Sequence, residues 1–384
     1  IAVMRMARAV GLLGTLSLAM AGLAIASCTT LLNIDSGGGA DSGDAREAAV
    51  DDAARDAGGD APALCDADLQ SDPASCGACG HSCGGAACAG ALCKPEAGPV
   101  SPTDPTPFGP NAHVATRLDA GALTDDRVSA GAGQPGYVYA FDPTAAAPQA
   151  IAAGTLQSRP SLVAVPTGDL LWTTSSVDGP STELRIKTGG SLSAGGGGTF
   201  RALATSPGGG RAAATVSAAG SSELRRFTIP FAALDATPLG DVQARGLAFD
   251  GELAVIVASA AGLLRCPFDE PSRSVLLPST SPVVDVAVAP GAVFFVTDSG
   301  ELRSAPLLLG SPSKLLRSGF VAPLALAVDD RGEPLVLDAA GIHATRYGAP
   351  LRVASSVGAP IVSFAASGPW IYFVTSAGLF RVRV

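Results

Sequence analysis

One pattern returns about every 40 residues from residue 112 to the end of the chain, and nothing else in the sequence constrains the fold as strongly. Its plainest copies are residues 254–265 (AVIVASAAGLLR), 292–303 (AVFFVTDSGELR), 334–343 (PLVLDAAGIH) and 370–381 (WIYFVTSAGLFR). Looser copies run from Leu170 to Arg185 and from Ala213 to Arg225, and the weakest ends at residues 136–141. An apolar run rich in β-branched and aromatic residues reads as a buried strand. The small residue and glycine that follow permit the positive φ of a tight hairpin. The Leu and Arg that come next begin a returning strand, whose side chains alternate between faces.

A short strand precedes each clear hairpin (246–250, 284–288, 324–329), and a fourth follows (274–277, 314–317). Four antiparallel strands per unit of about 40 residues is the period of a β-propeller blade. The hairpin glycines fall at positions 136, 179, 220, 262, 300, 341 and 378. The expected fold is therefore all-β: a propeller over residues 112–384 with seven four-stranded blades, or six if the first copy is not a blade. The last repeat stops after its third strand, so another segment must supply the outer strand and cover the open edge. Residues 113–117 (HVATR), at the start of the domain, are the expected donor.

The first 111 residues have a different character. Arg5 and Arg8 stand before an apolar stretch that ends in Ile25, Ala26, Ser27 and Cys28. That layout is a secretory signal over residues 1–27. Gly11, Gly14, Thr15, Ser17 and Gly22 dilute it below what a spanning helix requires. Residues 28–63 hold almost no large apolar side chain after Ile34, so burial cannot offset their ordering entropy. They are expected to form a disordered, acidic tether. Residues 35–68 carry ten acids and two arginines, a balance of −8 in a chain whose total is −9. The acids lack the loop order of a calcium-binding EF-hand. With the charge gathered there and no basic patch elsewhere, nucleic acid is not an expected partner.

Six cysteines then crowd residues 64–94: Cys65, Cys76, Cys79, Cys83, Cys88 and Cys93. An even number in an exported chain reads as three disulfides, with fifteen pairings open. Bridges are what such a short, coreless piece needs. Zinc on Cys76, Cys79, His81 and Cys83 is the competing reading, which an oxidising compartment disfavours. Residues 95–111 are rich in Pro, Ser and Gly and read as a semi-stiff linker.

Three resemblances attach to these motifs. The run Ile25-Ala26-Ser27-Cys28 resembles a bacterial lipobox. It implies cleavage before Cys28, lipidation of that residue and a membrane-tethered protein of the cell envelope. Thr29 stands where an inner-membrane retention Asp would be, which points to the outer membrane. The stretch from Asp72 through Cys76, Cys79 and Cys83 resembles the D-x-x-N-C-G-x-C-G-x-x-C module of exported bacterial proteins and half of the plant stigma-specific cysteine-rich domain. Ser75 replaces the usual Asn. The hairpins are similar to the Tyr-Trp-Thr-Asp propeller repeat, best at Trp172-Thr173-Thr174 and Val296-Thr297-Asp298. Members of that family mostly bind proteins or glycans, and some other propellers are hydrolases or lyases.

No catalytic set is legible. The histidines His81, His113 and His343 are far apart in sequence and form no Ser-His-Asp order. Asp250, Asp285, Asp298, Asp329 and Asp338 recur near strand ends; they read as turn caps before they read as a cation site in the channel. Gly195–Gly198 and Gly208–Gly210 lack the Lys-Ser/Thr of a phosphate loop. Trp172 and Trp370 occupy the same hairpin strand and read as core, and Cys266 as a buried thiol. The expectation is a monomeric binding or scaffold propeller for a protein or glycan, anchored through Cys28, without cofactor, metal or catalytic residue. The alternative is a propeller hydrolase or lyase acting on a small molecule or polysaccharide.

Overall fold

A computed structural model describes residues 68–97 apart from positions 79, 80 and 84, the strands of two blades between 113 and 193, and most of residues 198–383. Cys28, the acidic tether, Cys65 and Cys79 lie outside the described residues. Three short strands come first: β1 (Cys88–Ala89), β2 (Leu92–Cys93) and β3 (Glu96–Ala97). Blade one is β4–β7 (His113–Arg117, Ala120–Asp125, Gly136–Phe141, Gln149–Gly154). Blade two is β8–β11 (Leu162–Ala164, Leu170–Ser175, Thr182–Ile186, Ser191–Ser193), and blade three is β12–β15 (Thr199–Thr205, Arg211–Ala218, Ser221–Thr228, Ala232–Gly240). Blade four is β16–β19 (Ala244–Asp250, Ala254–Ser259, Gly262–Pro267, Val275–Pro278), and blade five is β20–β23 (Val283–Ala289, Ala292–Thr297, Glu301–Pro306, Lys314–Ser318). Blade six is β24–β27 (Ala325–Val328, Pro334–Asp338, Gly341–Ala344, Leu351–Ala354). Blade seven has β28–β30 (Ile361–Ser367, Trp370–Thr375, Gly378–Arg383) and takes β3 as its outer strand.

Seven four-stranded sheets thus stand among the described residues, in the order the repeat predicts. The first strands pack side by side in sequence, and β28 returns to β4, so the ring is closed. The weak first copy is a full blade.

On blades two to seven the described residues of the second strand are largely buried on both faces, which is why it reads as a continuous apolar run. In β17, Val255 and Val257 pack toward Leu224 and Leu239 of blade three, while Ile256 and Ala258 pack toward Val293 and Phe295 of blade five. In β25, Leu335 and Leu337 face blade seven, and Val336 faces blade five. Alternation splits one strand between two neighbours. Each fully buried Val, Ile or Phe contributes about 1.5–3 kcal/mol, so the core is a set of interblade layers. The outer strands β19 and β23 are not sandwiched this way, and Val275, Leu276 and Leu315 on them are exposed.

Ring closure departs from expectation. Residues 113–117 do not complete blade seven; they form β4, the first strand of blade one, paired with β5. Glu96–Ala97 closes the ring instead, with Glu96 opposite Arg381 and Ala97 opposite Phe380. The first hairpin needs its own inner strand, and 113–117 is the segment beside it. The sheet of the last blade therefore begins inside the proline-rich stretch.

The cysteine module is held by Cys76–Cys88 and Cys83–Cys93. Cys76, Cys83 and Cys93 have sulfurs within 4.8 Å of one another, but oxidised sulfurs offer no thiolate to zinc. Asp72 accepts the Ala74 N–H and so caps the turn that leads to Cys76.

Candidate functional site

Antiparallel order places the second-to-third hairpins and the interblade links on one face of the ring, and the remaining turns on the other. On blades four to six that first face is a continuous hydrogen-bonded belt. The link after blade four returns to its own hairpin, where the Ser279 N–H meets the Ala261 carbonyl at 3.1 Å. It then reaches the next hairpin, where the Asp298 N–H meets the Pro282 carbonyl at 2.9 Å and Ser281 Oγ donates to Asp298. The link after blade five repeats the arrangement. The Phe320 N–H meets the Gly300 carbonyl at 3.2 Å, and the Val321 N–H meets Asp338 Oδ2 at 3.0 Å. The Ala339 N–H meets the Val321 carbonyl at 3.0 Å, and the Leu324 N–H meets the Leu337 carbonyl at 2.8 Å.

Gly300 is needed for this closeness. Its φ is 79°, and a Cβ there would lie 2.1 Å from the Phe320 carbonyl oxygen. The belt is therefore preorganised, and it holds an apolar pair in water: Val321 is 62% exposed and Leu324 is 55% exposed. Between them Ala322 takes a left-handed φ of 48° and Pro323 is buried. Of the three hairpins, the only exposed charged residue among those described is Asp298. The surface is nearly uncharged and tied together by hydrogen bonds, and charge depletion is a mark of interface centres. Sequence reasoning missed Val321 and Leu324, whose one signal is a pair of large apolar residues around a proline in a link.

Asp338 and His343 are the groups closest to a catalytic pair. His343 Nε2 lies 2.9 Å from Asp338 Oδ1. That carboxylate also accepts the N–H groups of Val321, Ala340 and Gly341. Burial works to raise its pKa, but these hydrogen bonds and His343 outweigh burial and hold it below the ordinary carboxylate value. The other imidazole nitrogen, Nδ1, is sealed from solvent without a hydrogen-bond partner, and the ring packs edge-on against Phe320 at 5.7 Å. A general base must reach a substrate proton directly or through one water. This imidazole is placed to brace the belt.

The other expected aspartates do structural work too. Asp329 accepts the N–H groups of Arg331 and Glu333. Asp250 pairs with Arg265 at 2.7 Å. Asp285, on the innermost strand of blade five, accepts the Val286 N–H and, from blade six, the Leu326 N–H, both at 2.8 Å. It fits because Gly246 of blade four has no side chain: a Cβ there would lie 2.2 Å from Asp285 Oδ1. Burial pushes its carboxyl up to about 6 against those two hydrogen bonds. The turn-cap reading thus holds for Asp329 and Asp338, while Asp285 ties three blades together.

Arg226, which sequence reasoning also missed, is 1% exposed. It donates to the carbonyls of Pro267 (2.7 Å) and Phe268 (3.0 Å) in blade four and to Thr237 Oγ1 (2.6 Å) in its own blade. Arg211 covers the Phe268 ring at 4.5 Å. The sequence signal was an arginine at the same strand parity as buried Leu224. Trp172 is core at 6% exposure, and Trp370 lies under the Arg381 guanidinium at 4.3 Å. Cys266 is a buried thiol.

The ring, its seven blades and the hairpin faces define a β-propeller. Solved structures of similar shape include a streptogramin B lyase, with a TM-score of 0.58 at 11% identity, covering 76% of this chain and 97% of that one. They also include virginiamycin B lyase from Staphylococcus aureus, with a TM-score of 0.57 at 9% identity, covering 75% and 98%. A catalytically inactive histidine-to-alanine form of that lyase with quinupristin gives 0.58 at 9%, covering 76% and 98%. No protein-family model and no curated protein matches the sequence. At such identities the likeness is one of fold, and a fold does not carry an activity with it.

Proposed function

We propose that this chain is an exported lipoprotein, anchored through lipidated Cys28, whose propeller binds a protein or glycan through the face formed by the second-to-third hairpins and interblade links. The observation that supports it is the belt: a hydrogen-bonded, nearly uncharged surface that keeps Val321 and Leu324 exposed. Ordering cost is already met in the free protein, so contacts there convert to affinity with little loss. The Cys76–Cys88 and Cys83–Cys93 disulfides accord with an oxidising compartment.

Two measurements test this reading. Cys28→Ser should release the protein from the membrane fraction; retention in alkali would make the N-terminal segment a spanning anchor. A photo-crosslinking residue at Val321 should give a defined adduct in envelope fractions or on a glycan array, and one at Leu308, on the opposite face, should not. Leu324→Asp should weaken that binding about tenfold or more, as loss of a buried apolar contact would, without moving the melting temperature. Equal labelling from both faces, or turnover of quinupristin by the purified protein, would replace the binding reading.

A further inference from the structure

The strand that closes the ring is very short. Glu96–Ala97 offers two residues to β30. Such a pairing yields one or two main-chain hydrogen bonds, too little to offset the ordering of the segment that makes them. Something beside it must hold it in place. Three residues upstream stands Cys93, 1% exposed and bonded to Cys83. Cys76, Cys83, Cys88 and Cys93 belong to the same buried cluster as Ile342 and Val353 of blade six and Phe373 and Val382 of blade seven. The module therefore packs on the two blades next to the edge that β3 covers. The Lys94 N–H donates to the Ala87 carbonyl at 2.7 Å, which fixes the chain on its way out of the module.

We propose that the cysteine module is the lock of the propeller: its disulfides hold β2 against blade six so that β3 is delivered to the edge of blade seven, and ring closure depends on their being oxidised. A docked module makes the pairing of β3 effectively intramolecular over three residues, whereas a loose one would leave β30 as a bare edge. The sulfurs of Cys76, Cys83 and Cys93 are buried, so the bridges are structural and are reached by reductant only when the module opens. Reduction by a dithiol takes two electrons and two protons into each bridge, leaving two thiols on the chain and converting the reductant to its cyclic disulfide. In a reducing compartment the chain would thus carry an open last blade, and it would reach its closed form only after export.

The test uses the full chain and hydrogen exchange with a melting curve. After dithiothreitol treatment, with reduction confirmed by mass, the Arg381 amide should lose protection, because alternation from the Thr375–Gly378 hairpin pair turns it toward β3 and turns those of Phe380 and Val382 toward β29. β13 and β17, across the ring, should keep theirs. The melting temperature should fall by about 5–15 °C, the shift two lost bridges give in a domain of this size. The variant Glu96→Pro/Ala97→Pro removes the donors of β3 and leaves every cysteine in place. It should open β30 in the same way and speed reduction of Cys83–Cys93 severalfold, since module and strand stabilise each other. It also decides the matter if the native bridges resist reduction. A reduced protein that melts like the parent with the Arg381 amide still protected would overturn the proposal. So would a proline variant with unchanged protection at Arg381.

Discussion

At single residues the fold is decided by backbone approach and by buried charge. Gly300 serves both a left-handed φ and a contact that leaves no room for a Cβ. Gly300→Ala is expected to cost about 2–4 kcal/mol in urea unfolding, from conformational strain plus overpacking. Gly291 has a φ of 84° but open space around it, so Gly291→Ala should cost only about 1 kcal/mol. Asp285 makes a prediction in pH. Its folded carboxyl titrates near 6, whereas in the unfolded chain it titrates near the ordinary value. Between those values the folded state holds a proton that the unfolded state has released, so stability from this group falls as pH rises through 4 to 6. Asp285→Asn has no such dependence. Melting curves should therefore show the parent gaining on the variant when pH drops from about 7.5 to about 5; a constant gap would mean that Asp285 is ionised throughout. Asp338 has the opposite sign, since its pKa is lowered and its contribution is lost as pH falls below the ordinary carboxylate range.

Among elements, blades are joined by apolar layers and by a few polar staples. Arg226 of β14 reaches two carbonyls at the end of β18. Arg226→Met keeps the bulk and leaves those carbonyls without their donor, so it should cost about 2–4 kcal/mol. Arg211→Met, at a more exposed site where the guanidinium covers the Phe268 ring and donates to the Glu252 carbonyl at 2.7 Å in reach of water, should cost less, about 1 kcal/mol. Chemical denaturation of the two variants checks the order. Strand positions and the four-stranded unit were legible in the sequence because each rests on local spacing: a buried run, a glycine, a return; that the first, weakest copy is a blade, making seven, came from the fold. The staples were not. Arg226 carries only a parity clue, and the Leu326 N–H that Asp285 accepts is a backbone group, with no sequence trace at all.

For the whole molecule, stability belongs to the closed ring. Each blade covers its neighbours, so removing one uncovers two. Deleting residues 361–384 takes away β28–β30 and leaves Leu335, Leu337 and Ile342 of blade six facing water. The cooperative transition of the parent should then be lost rather than scaled down, as nearest-neighbour coupling in repeat folds requires. A truncated chain that unfolds at the parent's midpoint would mean the blades stand alone. Removal of residues 29–111 is not the neutral change that a separate spacer and module would imply, because it takes Glu96–Ala97 and the packed cysteines with it.

The repeat unit, its strands and turns, and the bridging of Cys76, Cys83, Cys88 and Cys93 within one module could be read from the residues alone. All of these follow from patterns within one stretch of about 40 residues, where side-chain period and glycine position act locally. Folding of the whole ring settles the blade count, how the ring closes, where the module sits, which aspartates cap and which one spans blades, and which apolar residues stay in water. Those outcomes depend on groups far apart in the chain. A two-residue strand pairs through its backbone, which every residue carries alike, and the exposure of Val321 and Leu324 is set by the neighbours that hold their loop. Local pattern specifies the blade, and closure specifies the molecule.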